Sequence, residues 1–169
     1  LSIKQSKRTI DYDDLESVKG VDMETDIPYK DSLFTIVAES FFNEEEPIGY
    51  ISEKVIKPII HKHPFILLST SDSLTYLKSI GFKTFGDTGF IDESYDAERN
   101  DEKRYYMVLK QICDLCNLPV EQKDSFIYNC KNIIEHNFNH LKKFNIKELE
   151  NNFENQFYKI KYQNVKTLF

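Results

Sequence analysis

The amino-acid sequence predicts an α/β fold, with a short parallel β-α-β-α-β unit followed by long C-terminal helices. Two observations predict it. Through residues 33–85, short apolar runs of strand length alternate with segments in which apolar residues recur at helical spacing. Beyond residue 103, the helical spacing continues over segments that are too long to be strands. The 169 residues are enough for one soluble domain with a sizeable core.

The three predicted strands are the apolar runs at 33–38, 65–69 and 82–85. Runs without polar alternation are typical of parallel strands, which are covered on both faces. Right-handed crossovers would join consecutive strands, and each crossover contains a helix. The sequence places these two helices at 52–60 and 74–80, and the second ends at Gly81, the usual residue after a helix.

The start of the helix predicted at 52–60 carries standard signals. Ser52 is a preferred N-cap residue, and Glu53 lies in the first turn, where the helix dipole favours an acidic side chain. Pro58 would remove one hydrogen bond from the interior of this helix. We therefore expect a kink there and not the loss of the helix.

The remaining segments define the domain organisation. We divide the chain into an irregular arm or linker, a central domain and a C-terminal helix, at 1–31, 32–143 and 144–169. The arm is polar, with one short helix expected at 13–18. Residues 86–102 contain seven acidic residues and one basic residue, a pattern that is typical of a solvated loop.

Composition excludes several classes of protein. The net charge is −6 and no basic stripe is visible, so nucleic acid is not an expected partner. Three cysteines are an odd and sparse set, which argues against a secreted disulfide framework and favours a reducing, cytoplasmic compartment. No stretch approaches the ~20 apolar residues of a membrane span, and no signal peptide is visible.

The best candidate site is the turn at 50–54, together with Glu39 at the end of the first strand. Ligands bind open parallel sheets beyond the carboxyl ends of the strands, and both segments are delivered to that edge. The unpaired N–H groups of a helix start and the charge of Lys54 would attract phosphate. Glu53 could accept hydrogen bonds from sugar hydroxyls. The alternative is a capped helix with surface charges. The candidate residues are Glu39, Tyr50, Ser52, Glu53 and Lys54.

Other constellations are weaker. Cys113 and Cys116 have zinc-like spacing, but no second pair accompanies them. His136 and His140 can share a helix face, yet the sequence offers no nearby third ligand. We therefore predict no metal site, and no catalytic residue is assigned.

The order of several motifs resembles the donor-binding half of fucosyltransferases, which are two-domain, Rossmann-like (GT-B) glycosyltransferases. The motifs are Glu39-Ser40, Tyr-Ile-Ser-Glu-Lys at 50–54, an apolar helix, and Pro-Phe-Ile-Leu at 64–67. In those enzymes the corresponding glutamate and lysine hold the ribose and diphosphate of the nucleotide sugar. The resemblance implies that Glu53 and Lys54 do so here, and that residues 32–143 form a Rossmann-like nucleotide-sugar-binding domain.

Residues 33–140 are more similar still to a group of glycosyltransferase-like proteins encoded by bacteriophages. The shared landmarks, in order, are residues 51–54, 57–59, 64–66, 73–77, 79–85, 92–96 and 135–137. This resemblance implies a viral protein that acts in the cytoplasm of the host cell or in the virion. It also implies a nucleoside diphosphate sugar as substrate, with no metal or other cofactor.

In the resembled enzymes the active site is a cleft, and the first half brings the acceptor site and the general base. This chain resembles the second half. The resemblance therefore implies an N-terminal acceptor domain or another protein as a partner, contacted through a crossing helix at 144–169 with the apolar stripe Ile146, Leu149, Phe153, Phe157 and Ile160. The alternative is a non-catalytic structural or adaptor protein of a virus particle or complex that keeps this fold.

Overall fold

The computed structural model describes residues 27–43 and 49–143 of the chain. Most of the expected arm, with the short helix predicted at 13–18, lies outside these residues, and so does the helix predicted at 144–169. The last part of the arm differs from the prediction, because it forms a short helix, α1 (Ile27–Asp31), where irregular chain is expected.

The sheet consists of two parallel strands, β1 (Thr35–Ala38) and β2 (Phe65–Leu68), in the register that pairs Val37 with Leu67. Each strand falls within the apolar run that predicted it. β2 is largely buried on both faces, whereas β1 leaves Ile36 47% exposed. The described part of the chain is therefore a mixed α/β fold with a two-stranded parallel sheet.

The crossover from β1 to β2 contains a 3-10 turn, Glu53–Val55, which leads into the short helix α2 (Ile56–Ile60). Pro58, for which the sequence predicts a kink inside a longer helix, lies instead in the first turn of α2. Its missing N–H would have no intrahelical acceptor at that position, so the proline is tolerated. The three isoleucines of α2 are buried and attach this crossover to the core.

The helix α3 (Ser73–Ser79) follows β2, and its start is capped by a residue from the acidic segment. The Asp96 carboxylate accepts hydrogen bonds from the N–H groups of Leu74 at 2.7 Å and Thr75 at 2.9 Å. Asp96 belongs to a 3-10 turn, Glu93–Ala97, and is only 8% exposed. This part of the segment is thus packed structure and not the solvated loop that the sequence predicts.

The third predicted strand, at 82–85, is not a strand, so the full β-α-β-α-β unit is not formed among the described residues. The side-chain amide of Asn137 explains the difference. It accepts from the N–H of Lys83 and donates to the carbonyl oxygen of Lys83, both at 2.8 Å. The backbone of Lys83 therefore already has the partners that a neighbouring strand would offer.

Tyr95, in the acidic segment, is buried as well, and this burial raises the pKa of its hydroxyl well above the ordinary value.

Two long helices complete the fold, as the sequence predicts. They are α4 (Asp101–Cys116) and α5 (Val120–Leu141). The Asn100 side chain caps α4 by accepting from the N–H of Lys103 at 2.8 Å. One continuous cluster of buried apolar side chains contains residues from β1, β2 and the helices α2 to α5. The helices therefore pack on the sheet around a single core.

Candidate functional site

The loops that follow β1 and β2 meet at the carboxyl edge of the sheet. The N–H of Gly49 donates to the carbonyl oxygen of Ser71 at 2.9 Å. The hydroxyl of Ser69 donates to the carbonyl oxygen of Tyr50 at 2.8 Å. Ligands bind open parallel sheets at this edge, so the two loops carry the candidate site.

Glu39, directly after β1, has a fully buried side chain. One carboxylate oxygen accepts from the N–H of Ser52 at 2.8 Å, and the other accepts from the hydroxyl of Ser52 at 2.6 Å. The Ser52 oxygen in turn accepts from the N–H of Lys54 at 3.3 Å, as an N-cap serine does. A carboxylate is costly to bury without such partners. Glu39 therefore fixes the 3-10 turn relative to β1.

Lys54 is held over the end of β1 by two contacts. Its Nζ donates to the hydroxyl oxygen of Ser40 at 2.8 Å and lies 3.8 Å from a carboxylate oxygen of Glu39. The Lys54 side chain is 38% exposed. The ammonium group is thus positioned by the protein while it stays accessible to a ligand, and its three donors suit phosphate oxygens.

The structure thus brings three of the five predicted residues into one hydrogen-bonded group. Tyr50 lies beside that group, but its side chain is buried, and its ring packs against Phe41 with the centroids 4.8 Å apart. Of Glu53 the structure describes the backbone only, as the first residue of the 3-10 turn.

Arg104 of α4, which sequence reasoning missed, is 1% exposed and joins the loops beneath the site. Its guanidinium donates to four backbone carbonyl oxygens, those of Ser69 at 3.2 Å, Glu98 at 2.8 Å, Arg99 at 3.5 Å and Phe42. It also donates to the Asp101 carboxylate at 2.7 Å. Because these carbonyls belong to separate loops, Arg104 fastens the loop after β1 to the loop after β2.

The sequence does contain a signal for Arg104. It precedes the buried Val108 by four positions and the buried Leu115 by eleven, so it lies on the apolar face of α4. A charged residue at such a position is almost never fully buried without several partners. The apolar face of α4 therefore indicates a buried cation with acceptors around it.

Three aromatic rings lie at the same edge of the sheet. The ring of Phe42 lies over the guanidinium of Arg104, 4.5 Å from its carbon, and meets the ring of Tyr105 edge-on with centroids 6.2 Å apart. The ring of Tyr106 follows, 5.9 Å from that of Tyr105. Tyr105 is 42% exposed and Tyr106 is 60% exposed. Phe42, Tyr105 and Tyr106 are the rim aromatics.

The histidine pair of α5, His136 and His140, contacts the C-terminal end of α3. Nε2 of His136 lies 2.9 Å from the carbonyl oxygen of Gly81, and Nε2 of His140 lies 2.8 Å from that of Ile80. Because a carbonyl oxygen can only accept, both nitrogens act as donors to the C-terminal end of α3. In the part of the chain that the structure describes, no group of three or more potential metal ligands occurs.

A separate, open depression of about 500 Å³ lies between α5 and the 3-10 turn Gly86–Thr88. Its lining residues are Asp87, Tyr128, Asn129, Lys131 and Asn132. None of these residues belongs to the loops at the carboxyl edge, so the depression is not part of the candidate site.

No protein-family model, no curated protein and no solved structure matches the chain. Over the described residues, no helix combines the length and the apolar character that are needed to cross a membrane.

Proposed function

We propose that the chain binds a nucleoside diphosphate sugar at the carboxyl edge of its sheet, as the donor-binding half of a GT-B-type glycosyltransferase. The observation that carries the proposal is the position of Lys54, a partly exposed ammonium group that Glu39 and Ser40 hold at the end of a parallel strand. In the proposal Lys54 binds the diphosphate and Glu53 binds hydroxyl groups of the ribose. The transferred sugar is a fucose or another hexose.

The charges around Lys54 support this role. The 3.8 Å between its Nζ and Glu39 exceeds hydrogen-bond length, and the oxygens of Glu39 already accept two hydrogen bonds from Ser52. The ammonium group of Lys54 therefore has N–H donors left for a phosphate. The buried carboxylate of Glu39 helps to fix the position of the ammonium group.

The rest of the enzyme belongs to the proposal as well. An N-terminal acceptor domain or another protein, contacted through residues 144–169, supplies the acceptor site and the general base. The setting is a bacteriophage protein in the host cytoplasm or in the virion. All three cysteines are free, which is consistent with a reducing compartment.

The burial of Glu39 favours a second candidate function. Its carboxylate and the hydroxyl of Ser52 are committed to each other. A non-catalytic structural or adaptor protein of a virus particle or complex would need the same hydrogen bonds to hold its loops, and it would need no ligand.

Calorimetric titration of the full chain with GDP, UDP and ADP tests the first proposal. We expect at least one of them to bind weakly, because half of a cleft offers few contacts. Lys54→Ala should weaken that binding about tenfold or more, since hydrogen bonds to charged groups contribute about 1.5–3 kcal/mol. Lys57→Ala, which changes a partly exposed lysine of α2, is the matched control and should bind normally.

Absence of heat and of any melting shift with all three ligands, up to millimolar concentration, would overturn the proposal and favour the second candidate. Equal weakening by Lys54→Ala and Lys57→Ala would also count against it, because general charge attraction would then explain the binding.

A further inference from the structure

We infer that the rim aromatics form the nucleobase subsite of this ligand, with the base stacked on the ring of Tyr105. The inference rests on the proposed function, because it concerns the other end of the same nucleoside diphosphate. It adds a binding residue on α4, a helix that contains none of the sequence motifs and none of the hydrogen-bonded residues Glu39, Ser52 and Lys54.

The first support is the short path from the cation to the rings. Ser40, which accepts from the Lys54 ammonium, and Phe42 are two residues apart in one loop, so their Cα atoms lie at most about 7 Å from each other. The ring of Phe42 then contacts that of Tyr105. A positive charge and a partly exposed aromatic ring therefore contact the same short loop segment, residues 40–42. That arrangement matches a ligand with an anionic diphosphate and a flat base.

The second support is the fixed geometry of the rings. Arg104 holds Phe42 twice, through the carbonyl oxygen and through the face of the ring. Phe42 in turn meets Tyr105 edge-on, with an interplanar angle of 84°. Tyr105 is nevertheless 42% exposed. A ring that is oriented before the ligand arrives loses little conformational freedom on binding, so its contact area contributes efficiently to affinity.

Stacking also predicts the pattern of specificity. Every base has a π-face, so a stacking platform tolerates different bases. We therefore expect GDP, UDP and ADP all to bind more tightly than inorganic pyrophosphate, which has no base.

The test compares nucleoside diphosphates with inorganic pyrophosphate on the full chain, by calorimetry. Tyr105→Ala should weaken nucleoside diphosphate binding about tenfold, in line with the usual cost of removing one stacking ring, and should leave pyrophosphate binding unchanged. Tyr105→Phe should keep the wild-type affinities. Tyr128→Ala removes a tyrosine of α5 that is 77% exposed and lies outside the site, and it should change neither ligand.

The outcomes separate this inference from the proposed function. If nucleoside diphosphates bind in a Lys54-dependent way and Tyr105→Ala binds as the wild type does, the base subsite is wrong and the proposed function stands. If the wild-type chain binds pyrophosphate as tightly as the nucleoside diphosphates, the inference is again overturned, with no variant required. If neither ligand binds the wild-type chain, both proposals fail together.

Discussion

Arg104 makes more hydrogen bonds to the loops at the carboxyl edge than any single residue of the sequence motifs does. Replacement of Arg104 by methionine keeps the buried stem and removes all donors to the loop carbonyls. Buried acceptors that lose charged donors are costly. We expect Arg104→Met to lower the free energy of unfolding by roughly 3 kcal/mol, measured by urea denaturation followed by circular dichroism.

Arg99 provides the matched control at the same scale. Its guanidinium bonds to Asp72 at 2.6 Å and to the hydroxyl of Ser71 at 3.0 Å, but its side chain is 50% exposed. Exposed ion pairs contribute little, so Arg99→Met should cost less than about 1 kcal/mol. Similar losses of unfolding free energy for both variants would contradict this prediction, because the burial of Arg104 would then add nothing to its contribution to stability.

At the scale of elements, the close packing of α5 on the C-terminal end of α3 predicts that replacing Gly81 lowers stability. This residue has φ +95°, and a Cβ atom there would lie 2.6 Å from Cε1 of His140. Gly89 has φ +78° with nothing within 4 Å of such an atom. Gly89→Ala should cost about 1 kcal/mol from backbone strain alone. Gly81→Ala should cost a further ~1–3 kcal/mol because the imidazole must move.

Urea denaturation of the two glycine variants gives both values, and their difference isolates the contact with His140. Identical unfolding free energies would mean that the imidazole moves aside at no cost and that its hydrogen bond to α3 is unimportant.

The elements also show what local sequence patterns can and cannot predict. The apolar runs located β1 and β2, and the apolar periodicity located α4 and α5, because these elements depend on residues close in the chain. The prediction of a third strand was wrong because the backbone of Lys83 is hydrogen-bonded to a side chain 54 positions away. No local pattern at 82–85 indicates that Asn137 will take the hydrogen bonds of a strand.

The candidate site, too, could be predicted from the sequence only in part. The rule for parallel sheets predicted that Glu39 and the turn at 50–54 would meet, and they do. It could not predict that the carboxylate would be buried against Ser52, since that depends on how closely the two loops pack. The rim aromatics depend on the docking of α4, which brings Tyr105 to a loop more than sixty positions earlier.

At the scale of the whole molecule, the single core predicts the reactivity of the three cysteines. Cys113 and Cys116 are exposed, whereas Cys130 is fully buried, and burial raises the pKa of its thiol to about 12. At pH 8 a thiol reagent should label two residues rapidly. It should label Cys130 only as fast as the core opens, because Cys130 belongs to the cluster that joins the sheet to the helices.

Mass spectrometry of the labelled protein measures both rates, and the urea-unfolded chain, which should take three labels at once, is the control. The sign of the pKa shift also fixes a pH dependence. The unfolded thiol ionises near its ordinary pKa of about 8.5, so the contribution of Cys130 to stability is fully present below that pH. It is lost as the pH rises towards about 12. Three equal labelling rates in the native protein would contradict a single closed core.

The cap that Asp96 places on α3 has a consequence for the order in which the chain folds during synthesis. A helix of seven residues is far shorter than the ~12–15 residues at which isolated helices become marginally stable. The carboxylate that satisfies its first N–H groups lies 22 positions further along the chain. Because the ribosome delivers the chain from its N-terminus, we expect α3 to become stable only after residue 96 has emerged. We expect the loop between β2 and α3 to be ordered correspondingly late, after the strand that precedes it has been made.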